Sequence, residues 1–355
     1  MTARWEGKTA FVTGGTGFIG GALVRRLATL GAQVVVPTRD RSRTGASDGV
    51  HYVAARLGNA AELARQMAGV SAVFNLAYDF RRSADENVAL YGAVADACVA
   101  ARVPMLVQAS SIAVYDGWPT QDVDEGSPCD GPGHAYKQAK RAIERDVEGR
   151  VTAGAFDAAI LQPTIVYGPS SPQWVDALVE RMRGGILILP ENLSGLCNGV
   201  YIDDLIEAFI AGADMKRGGA ERFIVSGPKP FPWRDLFVAY AEACGAQVRF
   251  EGEAPIAPPP ATTGAGLSLV SALARRASAL AADTLGTART EHLRGAVMRL
   301  RPGSRIYRPV AENPRLFLST GIASTEKLRT ALYTPTIGAS EGLARTQDYI
   351  RAKYR

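Results

Sequence analysis

Three residues in the first half of the chain have types and spacing suited to proton transfer: Ser111, Tyr136 and Lys140. Tyr136 and Lys140 are four positions apart in AYKQAK, within a stretch of helical spacing, so one helix face should carry both side chains. A nearby ammonium favours the tyrosinate, and such a tyrosine can give or take the proton of an alcohol or carbonyl. Ser111 ends the apolar stretch MLVQASS and could hydrogen-bond the same oxygen. A surface Tyr–Lys pair is the alternative, so the assignment depends on the other motifs.

A glycine-rich turn near the start of the chain, TGGTGFIG (13–20), is the second feature. The apolar run KTAFV precedes it and GALVRRLATL, with helical spacing, follows it, so the turn should join a strand to a helix. There Gly14 permits a tight turn, Gly17 lets the backbone approach phosphates, and Gly20 lets helix and strand pack closely. The pattern predicts a dinucleotide pyrophosphate at the helix N-terminus. An ordinary strand–helix turn is the alternative, and a second strand at 33–36 favours the cofactor interpretation.

Strands and helices alternate through the first half, which predicts a parallel sheet covered on both faces. Strand patterns lie at 10–13, 33–37, 51–54, 72–76, 105–109 and 159–162, and helical patterns at 18–30, 60–68, 84–102 and 135–150. We therefore expect an α/β fold with a Rossmann-type doubly wound parallel sheet and a smaller C-terminal α/β substrate domain.

After Pro163 the pattern changes, with helical stretches at 172–184 and 203–212 and a strand-like one at 199–202. We place a dinucleotide-binding domain at 1–168 and a substrate domain at 169–355, and part of 198–228 could pack back on the first domain. A Pro/Gly-rich segment marks an insertion at about 254–300. Its amphipathic stretch at 267–285 predicts a core-facing helix, with a substrate lid or a membrane-surface helix as alternatives.

The composition is that of a globular protein. The chain has 355 residues, 47% hydrophobic and 21% charged, and its net charge of +5 is small for that length. Its arginines cluster locally, which fits phosphate binding better than a nucleic-acid face. It lacks an apolar run long enough for a membrane span, and its first residues lack the apolar core of a signal peptide. Four cysteines lie far apart without a metal-binding pattern, which indicates reduced thiols and a cytoplasmic protein without a metal site.

Together these motifs resemble the extended short-chain dehydrogenase/reductases, also called the NAD-dependent epimerase/dehydratase family. The resemblance covers most of the chain: TGGTGFIG (13–20), NLA (75–77), SSIAVY (110–115), YKQAK (136–140), LQPTIVYGP (161–169) and NGVYIDDL (198–205). It implies that Tyr136 is the general acid/base, that Lys140 lowers the pKa of Tyr136 and holds the nicotinamide ribose, and that Ser111 polarises the substrate oxygen. Asn87 would support the active-site backbone or a water relay. It also implies a small-molecule substrate and a homodimer.

The same resemblance implies a set of residues around a nicotinamide dinucleotide. They are Gly14, Gly17, Phe18, Ile19, Gly20, Thr38, Arg39, Leu57, Leu76, Ala77, Asn87, Ser110, Tyr136, Lys140, Pro163 and Val166.

The end of the second strand bears on the choice between NAD and NADP. NAD enzymes carry an acidic residue there, which binds the ribose diol. In this chain the position falls on Thr38, and Arg39 follows. A neutral residue and then an arginine resemble the NADP-using members, in which a guanidinium binds the 2′-phosphate. The sequence therefore favours NADP over NAD, with Asp40 as the residue that would support NAD. Arg56 stands where the family often has an aspartate, which leaves the adenine contact open.

Two departures from the family pattern bear on the reaction. Ile112 and Ala113 stand where sugar-nucleotide dehydratases carry an Asp-Glu pair, so dehydration by that route is not expected. Cys197 stands where sugar-nucleotide epimerases commonly have an arginine that binds the substrate diphosphate. The insertion also resembles the hydroxysteroid-dehydrogenase-like branch. We therefore expect a secondary alcohol/ketone oxidoreductase with a fairly apolar substrate.

The alternative is a sugar-nucleotide epimerase or reductase that retains its cofactor, in which Arg181, Arg183 or Arg305 would bind the diphosphate. A non-enzymatic cofactor sensor on the same fold is disfavoured, because a sensor has no need of a Ser–Tyr–Lys set.

Overall fold

The computed structural model describes residues 5–40, 42, 44–215, 218–254 and 306–354. The expected amphipathic helix at 267–285 and Arg305 lie outside the described residues.

Within that part of the chain, the centre of the molecule is an eight-stranded sheet. In spatial order its strands are β12 (Ala220–Val225), β7 (Asp157–Pro163), β6 (Met105–Ala109), β5 (Ala72–Asn75), β1 (Thr9–Thr13), β2 (Gln33–Thr38), β4 (Val50–Ala54) and β3 (Gly45–Ser47). All neighbouring pairs are parallel except β3 and β4, which are antiparallel. The chain therefore starts in the middle of the sheet and winds outward in both directions.

Helices cover both faces of the sheet. On one face α1 (Phe18–Thr29) packs against α6 (Ile202–Ala213), and on the other α3 (Ala84–Ala100) packs between α2 (Ala60–Gln66) and α4 (Ala135–Thr152). Parallel strands joined by helices on both faces make the doubly wound α/β fold that the sequence predicts.

Two apolar cores lie on the two sides of the sheet, because successive side chains of a strand point to opposite faces. Val12 and Leu23 belong to one core, and Phe11, Leu63 and Met67 to the other, all fully buried. At roughly 25 cal/mol for each Å² of apolar area removed from water, such burial is the main stabilising contribution to the fold.

The second half of the chain contributes to the main sheet as well as to smaller sheets. Helix α6 lies against α1, and β12 forms the edge strand beside β7. The other described elements are β8 (Ile165–Tyr167), α5 (Ala177–Met182), β9 (Ile186–Leu189), β10 (Leu196–Cys197), β11 (Gly199–Tyr201), β13 (Phe231–Pro232), α7 (Trp233–Cys244), β14 (Gln247–Phe250), β15 (Ile306–Tyr307), α8 (Pro309–Glu312), α9 (Pro314–Phe317), α10 (Glu326–Ala331) and α11 (Ala339–Tyr354). Strand β9 pairs in parallel with β14 and β15.

The structure differs from the sequence prediction mainly after Pro163. The helix expected at 172–184 is divided into a π-helical turn at Pro172–Asp176 and the short α5, and it ends at Met182. Helix α6 begins at Ile202, inside the stretch expected as a strand. Strands of two to four residues are too short for a clear period of two, so β9, β10 and β13 left no signal in the sequence.

Candidate active site

The glycine turn has the backbone geometry that a bound pyrophosphate needs. Gly14 has φ of +69°, and a Cβ at this residue would lie 3.0 Å from the carbonyl carbon of Leu76. A Cβ at Gly20 would overlap the carbonyl oxygen of Gly14. Side chains larger than hydrogen are therefore excluded where α1 approaches β1 and where the Leu76–Ala77 backbone passes the turn.

The N-terminus of α1 is suited to an anion. Gly17 caps it without any side-chain hydrogen bond, and Phe18 and Ile19 open a first turn with no acidic residue. The backbone N–H groups of this turn and the positive end of the helix dipole are thus available to phosphate oxygens. These residues fit the dinucleotide that the sequence predicts.

A buried chain of hydrogen bonds runs from the glycine turn across the carboxyl ends of the central strands. The Thr13 hydroxyl donates to Asn75 Oδ1 at 2.5 Å, and Asn75 Nδ2 donates to Gln108 Oε1 at 2.8 Å. Gln108 Nε2 then donates to the Ala109 carbonyl at 2.8 Å, and Lys140 Nζ donates to the same carbonyl at 2.8 Å. Polar contacts thus link the turn to Lys140 through three adjacent strands.

The sequence analysis did not identify Thr13, Asn75 and Gln108 as a group. The sequence could have indicated them, because each is a polar residue at or near the end of a largely apolar strand.

Lys140 lies on α4 with its ammonium almost completely enclosed. The residue is 4% exposed, and burial lowers its pKa from 10.5 to about 8, while the nearby Glu144 acts in the opposite direction. Its Nζ is 4.9 Å from the ring centroid of Tyr78 and 5.7 Å from that of Tyr136.

Burial raises the pKa of the Tyr136 phenol, and the nearby Ser111 side chain lowers it by less. The Ser111 hydroxyl accepts from the Ala113 N–H at 3.2 Å. The sequence predicted that Lys140 lowers the pKa of Tyr136; in the structure the pKa is raised, because burial of the phenol is the largest influence on it. The Lys140 ammonium is hydrogen-bonded to the Ala109 carbonyl and lies over the Tyr136 ring, so desolvation of the phenol dominates.

A second buried network holds the strand end that carries Ser110 and Ser111. Glu144, fully buried on α4, accepts hydrogen bonds from the Ser110 hydroxyl, from Gln162 Nε2 at 2.8 Å and from Arg141 Nη1 at 2.8 Å. The Ser110 hydroxyl, which the resemblance implied near the cofactor, is therefore directed at Glu144. Sequence reasoning missed Glu144, although it follows Tyr136 and Lys140 at a spacing of four and shares their helix face.

At the far end of the proposed cofactor cleft, Thr38 is buried at the end of β2 and its hydroxyl accepts from the Asp40 N–H at 3.1 Å. Arg39 is exposed. Hydrogen bonding by Arg81, with a smaller electrostatic contribution from Arg39, lowers the pKa of Asp79 to about 2. The guanidinium of Arg39 is thus within electrostatic range of the loop that follows β5.

Asn87 holds that loop. Its amide donates to the carbonyls of Asp79, at 3.0 Å, and Ser83, at 2.9 Å, and its Oδ1 accepts from the Asp79 N–H at 2.9 Å. Of the two expected roles, these contacts match support of the backbone.

The remaining residues predicted to bind the cofactor are Leu57, Pro163 and Val166. Leu57 packs half-buried against the core that contains α2 and α3. Pro163 ends β7, and Val166 is buried in β8, which pairs in parallel with β11.

A family model described as the NAD dependent epimerase/dehydratase family matches residues 10–226. The chain belongs to this family. The match spans the turn, both buried networks and all predicted site residues, so the sequence-based assignment to extended short-chain dehydrogenase/reductases is confirmed. This chain is accordingly an NAD(P)-dependent oxidoreductase of that family.

Similar proteins include both reductases and epimerases. A 2-alkyl-3-oxoalkanoate reductase from Stenotrophomonas maltophilia is 30% identical over 254 residues, 66% of this chain and 75% of that protein. A UDP-glucose 4-epimerase from Mycolicibacterium smegmatis is 29% identical over 262 residues, 66% of this chain and 82% of that protein. The solved structure of MoeE5 with UDP-glucose and NAD has a TM-score of 0.68 at 19% identity, covering 98% of this chain and all of that one. At that identity the structural likeness shows the shared fold.

Within this family member, Cys197 is unsuited to contact a polar ligand. It is fully buried in β10, opposite Phe231, and burial raises the pKa of its thiol well above the ordinary value. Arg181 pairs with Glu312 and lies 4.4 Å from the Tyr307 ring centroid, while Arg183 pairs with Glu180. The two described arginines considered for a diphosphate thus already have carboxylate partners.

No helix among the described residues is both long and apolar enough to cross a membrane. The same part of the chain contains no group of three or more His, Cys, Asp and Glu residues placed to hold a metal ion.

Proposed function

We propose that this chain is an NADP-dependent reductase of ketones, working reversibly on secondary alcohols. The observation that carries the proposal is the Ser111–Tyr136–Lys140 cluster at the carboxyl edge of the sheet, in which Lys140 is linked by hydrogen bonds to the glycine turn. A bound nicotinamide supplies or accepts the hydride. The protein's own residues position the carbonyl and transfer the proton.

Each residue of the cluster has a role that follows from its surroundings. Tyr136, whose pKa is raised by burial, keeps its proton at neutral pH and donates it to the carbonyl oxygen during reduction. Ser111 donates a hydrogen bond to the same oxygen. Lys140 would hydrogen-bond the hydroxyls of the cofactor ribose, and its positive charge next to the developing tyrosinate would lower the cost of forming it.

The absence of an arginine at Cys197 favours a substrate with little charge. A diphosphate in a partly dry cleft without a guanidinium would leave its charge poorly paired, which is costly. The similarity to a 2-alkyl-3-oxoalkanoate reductase supports a ketone substrate, and the similarity to a UDP-glucose 4-epimerase supports the sugar-nucleotide alternative.

We further infer that the part of the chain after residue 169 supplies much of the substrate site. A cytoplasmic homodimer stays a prediction.

The test incubates the purified full-length protein with NADPH and either a 2-alkyl-3-oxo acid, a neutral ketone or UDP-glucose. We expect NADPH oxidation with the ketones and neither binding nor conversion of UDP-glucose. Saturable micromolar binding of UDP-glucose with inversion of its 4-hydroxyl would replace this proposal with a cofactor-retaining epimerase.

Arg39→Ala should weaken NADP binding roughly 10- to 100-fold and NAD binding much less, because a charge-assisted contact to phosphate is worth about 1.5–3 kcal/mol. Titration of both cofactors into both proteins measures this, and Arg65→Ala, another exposed arginine, is the matched control. Equal losses for the two cofactors, or tighter NAD binding by the unmodified protein, would make NAD the cofactor and Asp40 the residue of interest.

A further inference from the structure

Three aromatic rings pack around the ring of Tyr136, the proposed acid/base. Phe80 stacks on Tyr136 with centroids 5.5 Å apart and planes 24° apart, and Tyr78 meets Tyr136 edge-on at 5.0 Å. The imidazole of His134 lies nearly parallel to Tyr136 at 6.2 Å, and Tyr78 and Phe80 contact each other at 5.0 Å. The catalytic phenol is thus surrounded by flat rings contributed by two separate segments of the chain.

Phe80 is an unusual member of this group because 77% of its surface is exposed. The other large exposed hydrophobic residues of the described chain are much less so, from 37% for Phe250 to 48% for Ile306. A phenyl ring left in water is unfavourable, and this one is available to contact a ligand bound at Tyr136.

The backbone of the loop that carries Phe80 is held by hydrogen bonds. Asn87 makes three hydrogen bonds to this loop, two with Asp79 and one with Ser83. The Asp79 carboxylate also accepts two hydrogen bonds from Arg81, at 2.9 Å each. His134 is fixed as well, because its Nδ1 accepts from the Lys137 N–H at 3.2 Å and caps α4.

We propose that Tyr78, Phe80 and His134 form an aromatic wall that makes this enzyme selective for carbonyls attached to a flat, conjugated ring. The proposal rests on the ketone reductase function proposed above and names its substrate class. A carbonyl oxygen that accepts from the Tyr136 hydroxyl brings its substituent next to the Phe80 ring. A planar substituent can stack there, whereas a puckered saturated ring of similar size cannot approach as closely.

The expected selectivity follows from the strength of aromatic pairs. Such pairs contribute beyond their buried area by an amount equivalent to roughly 2- to 13-fold in affinity. Acetophenone and cyclohexyl methyl ketone are a matched pair of probes, because they share a carbon skeleton and differ in the flatness of the ring. We expect the unmodified enzyme to favour acetophenone in kcat/KM by about 10-fold over cyclohexyl methyl ketone.

Three variants test the wall. Phe80→Leu keeps apolar volume but removes the flat ring, and should reduce the acetophenone preference to about 2-fold or less. Phe80→Tyr keeps the ring and should retain the preference. Phe250→Leu replaces an exposed phenylalanine of the separate strand β14 and should change neither rate. NADPH affinity should stay unchanged in all three.

Two results would overturn the proposal: equal kcat/KM for both ketones in the unmodified enzyme, or a loss of NADPH affinity in Phe80→Leu that matches the loss of rate. The second result would assign Phe80 to the cofactor. Saturation-transfer NMR with each ketone reports binding independently of turnover. If the enzyme binds acetophenone selectively, loses this selectivity in Phe80→Leu and turns over neither ketone, the aromatic wall is supported and the reductase function is contradicted. If it reduces both ketones without preferring the aromatic one, the reductase function is supported and the aromatic wall is contradicted.

Discussion

Tyr136→Phe should lower kcat/KM for ketone reduction by at least about 100-fold and leave cofactor affinity nearly unchanged. Proton transfer by a positioned side chain contributes about 10²- to 10⁴-fold, and phenylalanine removes the proton while keeping the ring that packs on Tyr78 and Phe80. Steady-state kinetics and cofactor titration on the same preparations measure the two quantities.

The matched control for this variant is Tyr91→Phe, which removes a tyrosine hydroxyl that donates to Asp146 at 2.8 Å from helix α3. It should keep the wild-type rate, because Tyr91 is buried in the core that contains α2 and α3 and its hydroxyl donates to Asp146. If Tyr136→Phe retained more than half of the wild-type rate, Tyr136 would not be the acid/base.

Lys140→Met should lower kcat by about 100-fold and also weaken cofactor affinity by roughly 10-fold or more. The first effect follows because the ammonium next to Tyr136 favours the developing tyrosinate, and the second because a charge-assisted hydrogen bond to the cofactor ribose is lost. The two effects belong to different steps, so single-turnover kinetics and equilibrium titration report them separately.

Lys327→Met provides the comparison, because this lysine pairs with Glu221 at the surface, away from the cluster. If Lys140→Met changed only kcat or only cofactor affinity, the dual role would be contradicted. Lys140 would then act only in the step whose quantity changed.

The sequence predicted those parts of the site that depend on local spacing. The glycine turn and the Tyr136–Lys140 pair are each contained in one short segment, and a strand–turn–helix pattern or one helical turn is enough to define them. Strand–helix alternation likewise predicted the doubly wound sheet, because periods of two and 3.6 residues are visible without knowledge of the fold.

The parts that the sequence did not predict depend on contacts between distant segments. Thr13, Asn75 and Gln108 become neighbours only through strand register, with Thr13 opposite Asn75 and Asn75 opposite Gln108. The raised pKa of Tyr136 was not predicted either, because it depends on how deeply the phenol is buried and not on the spacing of Tyr136 and Lys140 in the sequence. The sequence did not indicate a role for Phe80, because the ring on which it stacks, Tyr136, is distant in the sequence.

The buried ammonium of Lys140 also has a thermodynamic consequence for the ligand-free protein. Its pKa is about 8 in the folded state, against 10.5 ordinarily. Below pH 8 both states hold the proton, and folding bears the full cost of enclosing the charge, about 3 kcal/mol. Between pH 8 and 10.5 the unfolded chain binds a proton that the folded chain does not, so this group makes stability rise with pH.

Ligand-free Lys140→Met should therefore melt at a higher temperature than the unmodified protein at pH 7, and the difference should shrink as the pH approaches 10.5. Calorimetry at both pH values measures this, and equal melting temperatures at pH 7 would mean that the charge is enclosed at no cost. The lysine proposed to bind the cofactor and to assist proton transfer thus lowers the stability of the ligand-free protein, and cofactor binding would offset part of this loss.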